Sequence, residues 1–506
     1  MILSSLDWSI IGLYFLISLA VGIWASRKAK ESTKSYFLAG RNMPWWLLGI
    51  SMVATTFSTD TPNLVTDLVR KDGVSGNWGW WAFLLTGMLT VFVYSKLWHR
   101  SGVLTDIEFY ELRYSGKAAA FLRGFRAVYL GLVFNVLVMG TVSLAAIKFG
   151  EIVLGLPGWL TLLIAGSITI VYSTLGGLKA VIITDFIQFI LAMIGSIWAM
   201  LYILGLPQIN GLNNLITHSS VMDKLSLIPD LSEPDAWVPV LLVPLAVQWW
   251  ASYYPGSEPG GGGYIAQRMF SARDESNALL ATFFFNVAHY ALRPWPWIII
   301  ALASIIIFPT SLDLRIDKKL LIPDKELALK IVSKGETLNH QTLIESLNYF
   351  YTNENDYAKK ENYKNDLDIV KKKKNSIEIK SWSYLHYNQN LIKGELIPVS
   401  KRLDPLVAKE LITIHLFSPD IPIDKLGHDL GYPLMLTFLP TGLLGLVAAS
   451  LIAAFMSTMS TQLNLGASYL VNDFYHRFFK PSASEKELVL VGKFSTVISI
   501  ILGSGL

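Results

Sequence analysis

The residues able to do chemistry in this chain are carboxylates, hydroxyls and a few cations embedded in apolar blocks. Asp60, Asp185, Glu258, His289 and Arg293 all lie within or beside otherwise hydrocarbon stretches. An ionisable group at such depth is expensive to desolvate. It marks either a functional position or a structural pair that neutralises it. Hydroxyls gather in two runs. One is Gly49-Ile-Ser-Met-Val-Ala-Thr-Thr-Phe-Ser-Thr-Asp-Thr-Pro62; the other is Ala453-Ala-Phe-Met-Ser-Thr-Met-Ser-Thr-Gln-Leu-Asn464. Small residues beside hydroxyls let a neighbouring backbone approach. Hydroxyl oxygens are also hard ligands for a small cation. The pattern alone leaves packing and ion binding equally open. Neither a metal set such as His-Glu-x-x-His nor a phosphate-cradling loop occurs, which weighs against an enzyme and against a nucleotide-driven pump. The chain contains no cysteine. That excludes disulfides, thiol catalysis and Cys-ligated metals. Its net charge of +4 is spread out and leaves no nucleic-acid footprint.

The elements that must hold these residues are membrane helices. Of 506 residues, 52% are hydrophobic and only 16% charged. The apolar residues fall in blocks of roughly 20, the length that crosses a hydrocarbon core as a helix. Many of the tryptophans sit near block ends, as in an interfacial belt. Ten spans are expected, at about 8–26, 44–68, 78–98, 122–147, 159–175, 179–204, 237–267, 278–308, 434–470 and 488–506. The first is a retained span and not a signal peptide, because its positive charges follow the apolar block. Arg27, Lys28, Lys30, Lys34 and Arg41 follow span one; Arg100, Arg113, Lys117 and Arg123 follow span three. Arg268 and Arg273 follow span seven, and Arg477, Lys480 and Lys486 follow span nine. The alternate loops are poorer in Lys and Arg, so the N-terminus is expected outside. Three regions result: helices 1–8 over 1–308, an external polar insertion over 309–432, and helices 9–10 over 433–506. The destination is the cell membrane, multi-pass, with the bacterial inner membrane as the expected one.

Two spans carry breaks. Span two has hydroxyls, Asp60 and Pro62 at its middle. Span seven reads Gln248-Trp-Trp-Ala-Ser-Tyr-Tyr-Pro-Gly-Ser-Glu-Pro-Gly-Gly-Gly-Gly-Tyr264, which cannot continue a helix. Unpaired backbone at membrane depth survives only against protein or a watery cavity. Broken helices at corresponding places in two halves point to a transporter site. Spans two and seven are five apart, as the first helices of two inverted five-helix repeats would be.

The run Tyr172-Ser-Thr-Leu-Gly-Gly-Leu-Lys-Ala-Val-Ile-Ile-Thr-Asp-Phe-Ile-Gln188 resembles the signature of the sodium/solute symporter family, which includes sodium-coupled sugar, proline and pantothenate carriers. Asn42-Met-Pro-Trp-Trp-Leu-Leu-Gly-Ile-Ser51, Tyr264-Ile-Ala-Gln-Arg268 and the Ser457-Thr458 segment extend the resemblance over nearly all of the chain except the insertion. It implies an all-α membrane protein with a leucine-transporter-like bundle of inverted 5+5 repeats preceded by one extra helix. The tenth core helix would lie beyond residue 506. The implied sodium ligands are the carbonyls of Ala54, Phe57 and Ala454 and the hydroxyls of Ser457 and Thr458, with Asp185 on the cation pathway. Expected cavity residues are Asp60, Thr61, Gln248, Trp249, Tyr253, Glu258 and Arg293, and Arg293 is expected to pair with Asp60 or Glu258. The function expected is sodium-coupled uptake of a small polar solute. The rival is a non-transporting sensor or an uncoupled ion pathway on the same fold.

Overall fold

The computed structural model describes residues 3–29, 32–248, 263–308 and 427–505, with three isolated positions between the last two stretches. Helices make up all the regular structure of the described residues, apart from one bridge between Met43 and Ala272. Among the described residues, seven helices are long and apolar enough to cross a membrane. The protein is therefore a multi-pass membrane protein, and its exposed leucines, isoleucines and phenylalanines are the lipid-facing surface that such helices present.

The chain begins with α1 (Ser5–Ala29). The first broken span follows as α2 (Trp45–Thr55) and α3 (Asp60–Asp72). The separation falls where the sequence demands it. Pro62 has no N–H, and in a continuous helix its ring would collide with the carbonyl of Ser58. Next come α4 (Val74–Ser101) and α5 (Gly116–Phe149). The 47 residues of α6 (Gly158–Leu204) would extend about 70 Å, more than twice the hydrocarbon thickness. They are two spans that meet at Gly177, whose φ of 58° and ψ of −159° only glycine adopts readily. A Cβ there would also meet the Tyr36 carbonyl oxygen at 2.5 Å. The boundary expected between 175 and 179 is this glycine.

The second half contains α7 (Pro234–Ala246), α8 (Gly263–Ser271), α9 (Glu275–Ile307), α10 (Leu443–Phe479) and α11 (Glu485–Gly505). The expected break at Pro255–Gly263 lies almost wholly outside the described residues. So does most of the insertion expected over 309–432.

The ninth span begins and ends later than expected. Residues 431–436 form a separate short helix, and Pro440 and Gly442 (φ 87°) turn the chain before α10 starts. The far end continues to Phe479 as a π-helix carrying Asn472, Asp473, His476 and Arg477. Hydropathy ends the span too early there, because Asn472, Asp473 and Arg477 are paired with Glu108, Arg123 and Glu111. Asp473 is fully buried and takes Arg123 Nε at 2.7 Å and the Thr105 hydroxyl at 2.6 Å. Arg123, expected in a loop, is consequently drawn inward.

Of the apolar stretch of α10, 94% is buried, against 28% for α1. Helix α10 is the central post and α1 a peripheral addition. A carboxylate joins them. Asp7 Oδ1 accepts from the Gly442 and Gly445 N–H groups at 2.7 and 2.8 Å, satisfying donors that the start of α10 leaves unpaired.

Candidate cation and solute site

The break between α2 and α3 leaves carbonyls that no helix satisfies. Two neighbouring helices supply the donors. From α10, the Thr458 hydroxyl reaches both the Thr55 and the Phe57 carbonyls at 3.2 Å. From α9, Arg293 Nη1 donates to the Val53 and Thr56 carbonyls at 3.0 and 3.2 Å. Arg293 is 1% exposed and stacks against the rings of Phe57 and Trp297 at 5.7 and 5.3 Å. A guanidinium that keeps its proton must find acceptors, and the carbonyl end of a helix carries the complementary partial charge. The Ala54 carbonyl accepts the Phe57 N–H at 3.2 Å, folding the chain back at the break. On the same side, Thr56 Oγ1 lies 2.9 Å from His289 Nδ1.

One turn away from the break is a second polar node, fully buried. Asp185 on α6 accepts from Ser51 at 2.5 Å and from Ser457 at 2.6 Å. Arg268 on α8 lies 3.6 Å from its Oδ2. The same guanidinium donates to Thr461 at 2.7 Å, Thr55 at 3.0 Å and Ser51 at 3.2 Å. Ser51 and Thr55 are one turn apart on α2, and Ser457 and Thr461 are one turn apart on α10. Each pair therefore presents two hydroxyls on one helix face. The buried charge pair is compensated by a full set of hydrogen bonds, the condition under which such a pair persists in an apolar interior.

Beside the break is a cavity of about 320 Å³. Thr55, Thr56, Ser58, Asp60 and Thr61 form one side of it, and Thr458 and Gln462 of α10 close it towards the node. Phe134, Val138 and Val142 of α5 make an apolar wall. Thr458 thus bonds the broken backbone and lines the cavity.

Of the expected residues, Ser457 bonds Asp185 and Thr458 bonds the Phe57 carbonyl; Ala54 lies at the end of α2, Ala454 one turn before Thr458 on α10, and Asp60 and Thr61 are on the cavity. Gln248 is exposed at the end of α7 and is not among the residues that line it. Trp249, Tyr253 and Glu258 lie outside the described residues. Arg293 is not itself on the lining and makes no ion pair with Asp60 among the described residues; it donates instead to the Val53 and Thr56 carbonyls and to the hydroxyl of Thr56, a lining residue, while its other expected partner, Glu258, lies outside the described residues. Arg268 is a correction. Counted from sequence as a loop charge, it is wholly buried against Asp185. The legible signal was the hydroxyl pairs at i, i+4, which offer acceptors to a cation on a facing helix.

A core span that breaks beside a hydroxyl-bearing central helix fits a secondary transporter of the leucine-transporter-like class. The chain belongs to the sodium:solute symporter family, whose family model (Sodium:solute symporter family) matches residues 36–312 and 408–504. It is thus a sodium-coupled solute symporter. A sodium/glucose cotransporter of Vibrio parahaemolyticus is 23% identical over 512 residues, covering 99% of this chain and 74% of that protein. Sodium/glucose cotransporter 1 of Oryctolagus cuniculus is 31% identical over 38% of this chain and 28% of its own length. The sodium/mannose cotransporter SLC5A10 of Bos taurus is 32% identical over 42% of this chain and 35% of its own. In three dimensions the fold matches a substrate-bound, outward-open Na+-coupled sialic acid symporter. The TM-score is 0.64 at 16% identity, covering 99% of this chain and 81% of that one.

Proposed function

We propose that sodium binds between the carbonyls of Ala54, Phe57 and Ala454 and the hydroxyls of Ser457 and Thr458, and drives uptake of a small polar solute held in the cavity beside Asp60 and Thr61. The observation that carries this reading is Thr458: one hydroxyl contacts the broken backbone and faces the solute cavity. Adjacent oxygens around a small cation stand roughly 3.3 Å apart when its bonds are about 2.4 Å. Thr458 Oγ1 is 3.2 Å from the Phe57 carbonyl oxygen. A turn of the hydroxyl would direct its lone pairs, with the carbonyl, onto an ion. Ser457 already gives its proton to Asp185, which leaves its oxygen free to coordinate. An ion held there fixes the break, and Ser58 to Thr61, next along the chain, form the solute side of the cavity. Coupling is the shared rigidity of that short segment. Asp185 receives the cation as it leaves towards the basic end of the molecule. That end faces the cytoplasm, with the N-terminus and the 309–432 insertion outside. The activity is transport and not catalysis, in a bacterial inner membrane.

Sodium titration of thermal stability in the purified protein tests the ion site, since a ligand of the folded state raises apparent stability by mass action. Sodium, and not potassium, should raise Tm. Ser457→Ala with Thr458→Ala should weaken the apparent sodium affinity more than tenfold. A double variant with unaltered sodium response would put the ion elsewhere.

A further inference from the structure

The cavity itself carries information on what it holds. Asp60 presents its carboxylate to the cavity from the first turn of α3. Its Oδ1 is buried and has no hydrogen-bond partner. The hydroxyl of Ser58, also on the lining, is likewise buried and unpartnered. A carboxylate is an acceptor only, and an orphaned buried acceptor is unfavourable until a donor meets it. The described residues that line the cavity include no cationic side chain. Arg293 stands behind this lining: its Nη1 donates to the Val53 and Thr56 carbonyls, its Nε is buried without a partner, and it makes no ion pair with Asp60 among the described residues. Helix α5 adds hydrocarbon to the lining from Phe134, Val138 and Val142, beside Thr141. The volume of about 320 Å³ is at the small end of ligand sites.

We infer that Asp60 reads a hydrogen-bond donor on the solute, a hydroxyl or an ammonium group, and that the cavity rejects solutes carrying a carboxylate. This rests on the proposed reading of the cavity as the solute site. The solute is compact, with a hydrocarbon face against α5 and donors turned to Asp60 and Ser58. A second negative charge beside Asp60 would be repelled in a site of low dielectric. The lining offers a carboxylate neutral donors such as Gln462 and Thr141 but no cation to offset that repulsion. Hydroxyl and ammonium share the chemistry that satisfies Oδ1; only the ammonium also neutralises it.

Size-matched probes in different charge states separate these cases. One series is glucose, glucosamine and glucuronate; the other is glycerol, ethanolamine and glycolate. Each is tested at millimolar concentration for an increase in Tm of the full chain in sodium and in potassium. A neutral or ammonium member should raise Tm in sodium, while glucuronate and glycolate leave it unchanged. A preference for the ammonium members identifies that source, and a preference for the neutral ones identifies a polyol. Asp60→Asn should weaken the stabilising solute at least tenfold and keep the sodium-induced Tm increase, which also shows that the variant is folded. Stabilisation by a carboxylate member at least equal to that by its neutral and ammonium partners would overturn the inference. So would a full response of Asp60→Asn to the solute, or no response of the wild type to any neutral or ammonium probe. Loss of the sodium response alone, with solute selectivity intact, would count against the ion site and not against this inference.

Discussion

At the scale of residues, the break in the first core helix is held by two donors with different jobs. Thr458 is a neutral hydroxyl at the cavity wall, whereas Arg293 is a charged tie behind it, packed on Phe57 and Trp297. Lysine at 293 would keep the charge but not the planar fork that spans two carbonyls. Arg293→Lys should therefore weaken apparent sodium and solute affinities to a similar degree, about threefold to tenfold each. Affinities for both ligands are measured on the same variant. A loss confined to the solute would return Arg293 to the cavity wall. The chain displayed the parts of this site unevenly. Asp60, Asp185 and the Ser457-Thr458 pair were visible because polar groups inside apolar blocks have few explanations. Arg268 was not, since a basic residue at the margin of a span looks the same whether it turns to solvent or to a buried carboxylate. The partner that decides the matter, Asp185, is on another helix far away in sequence.

At the scale of elements, proline and glycine announced the breaks, and Pro62 and Gly177 fall where the helices part. Long-range ties had no such signature. Arg70, at the C-terminal end of α3, is 1% exposed and donates to the Ser304 carbonyl and hydroxyl and to the Phe308 carbonyl beyond α9. Its Nε also lies 3.3 Å from His428 Nδ1, in the segment before the short 431–436 helix. The strap joins three elements whose sequence positions differ by hundreds, so no periodicity reveals it. Burial, with the positive charges of Arg70, Lys71 and Lys224, holds the His428 imidazole down to about 3 from its usual value near 6.5. A histidine whose folded pKa is depressed binds fewer protons folded than unfolded. Its contribution is complete above the unfolded pKa and is lost as pH falls towards the folded one. Thermal stability should drop between pH 7 and pH 5, and His428→Gln should flatten that drop. An unchanged pH slope in this variant would mean that another group sets it.

At the scale of the whole molecule, the long hydrophobic spans made the membrane architecture legible. The polar π-helical end of α10 escaped that reading because Asp473, buried within it, is paired with Arg123 and Thr105 of other elements. Burial makes α10 the post against which α2 and α6 meet, and the ion site and the solute cavity share its Thr458. Two sites joined through one segment must affect each other reciprocally: sodium should tighten the solute by the same factor by which the solute tightens sodium. The most direct measurement is uptake into proteoliposomes of the solute selected by sodium-dependent stabilisation. An inward sodium gradient should accumulate that solute above its external concentration, an equal potassium gradient should not, and the Ser457→Ala, Thr458→Ala protein should only equilibrate it. Accumulation that persists without sodium, or that survives the double substitution, would contradict sodium coupling at this site.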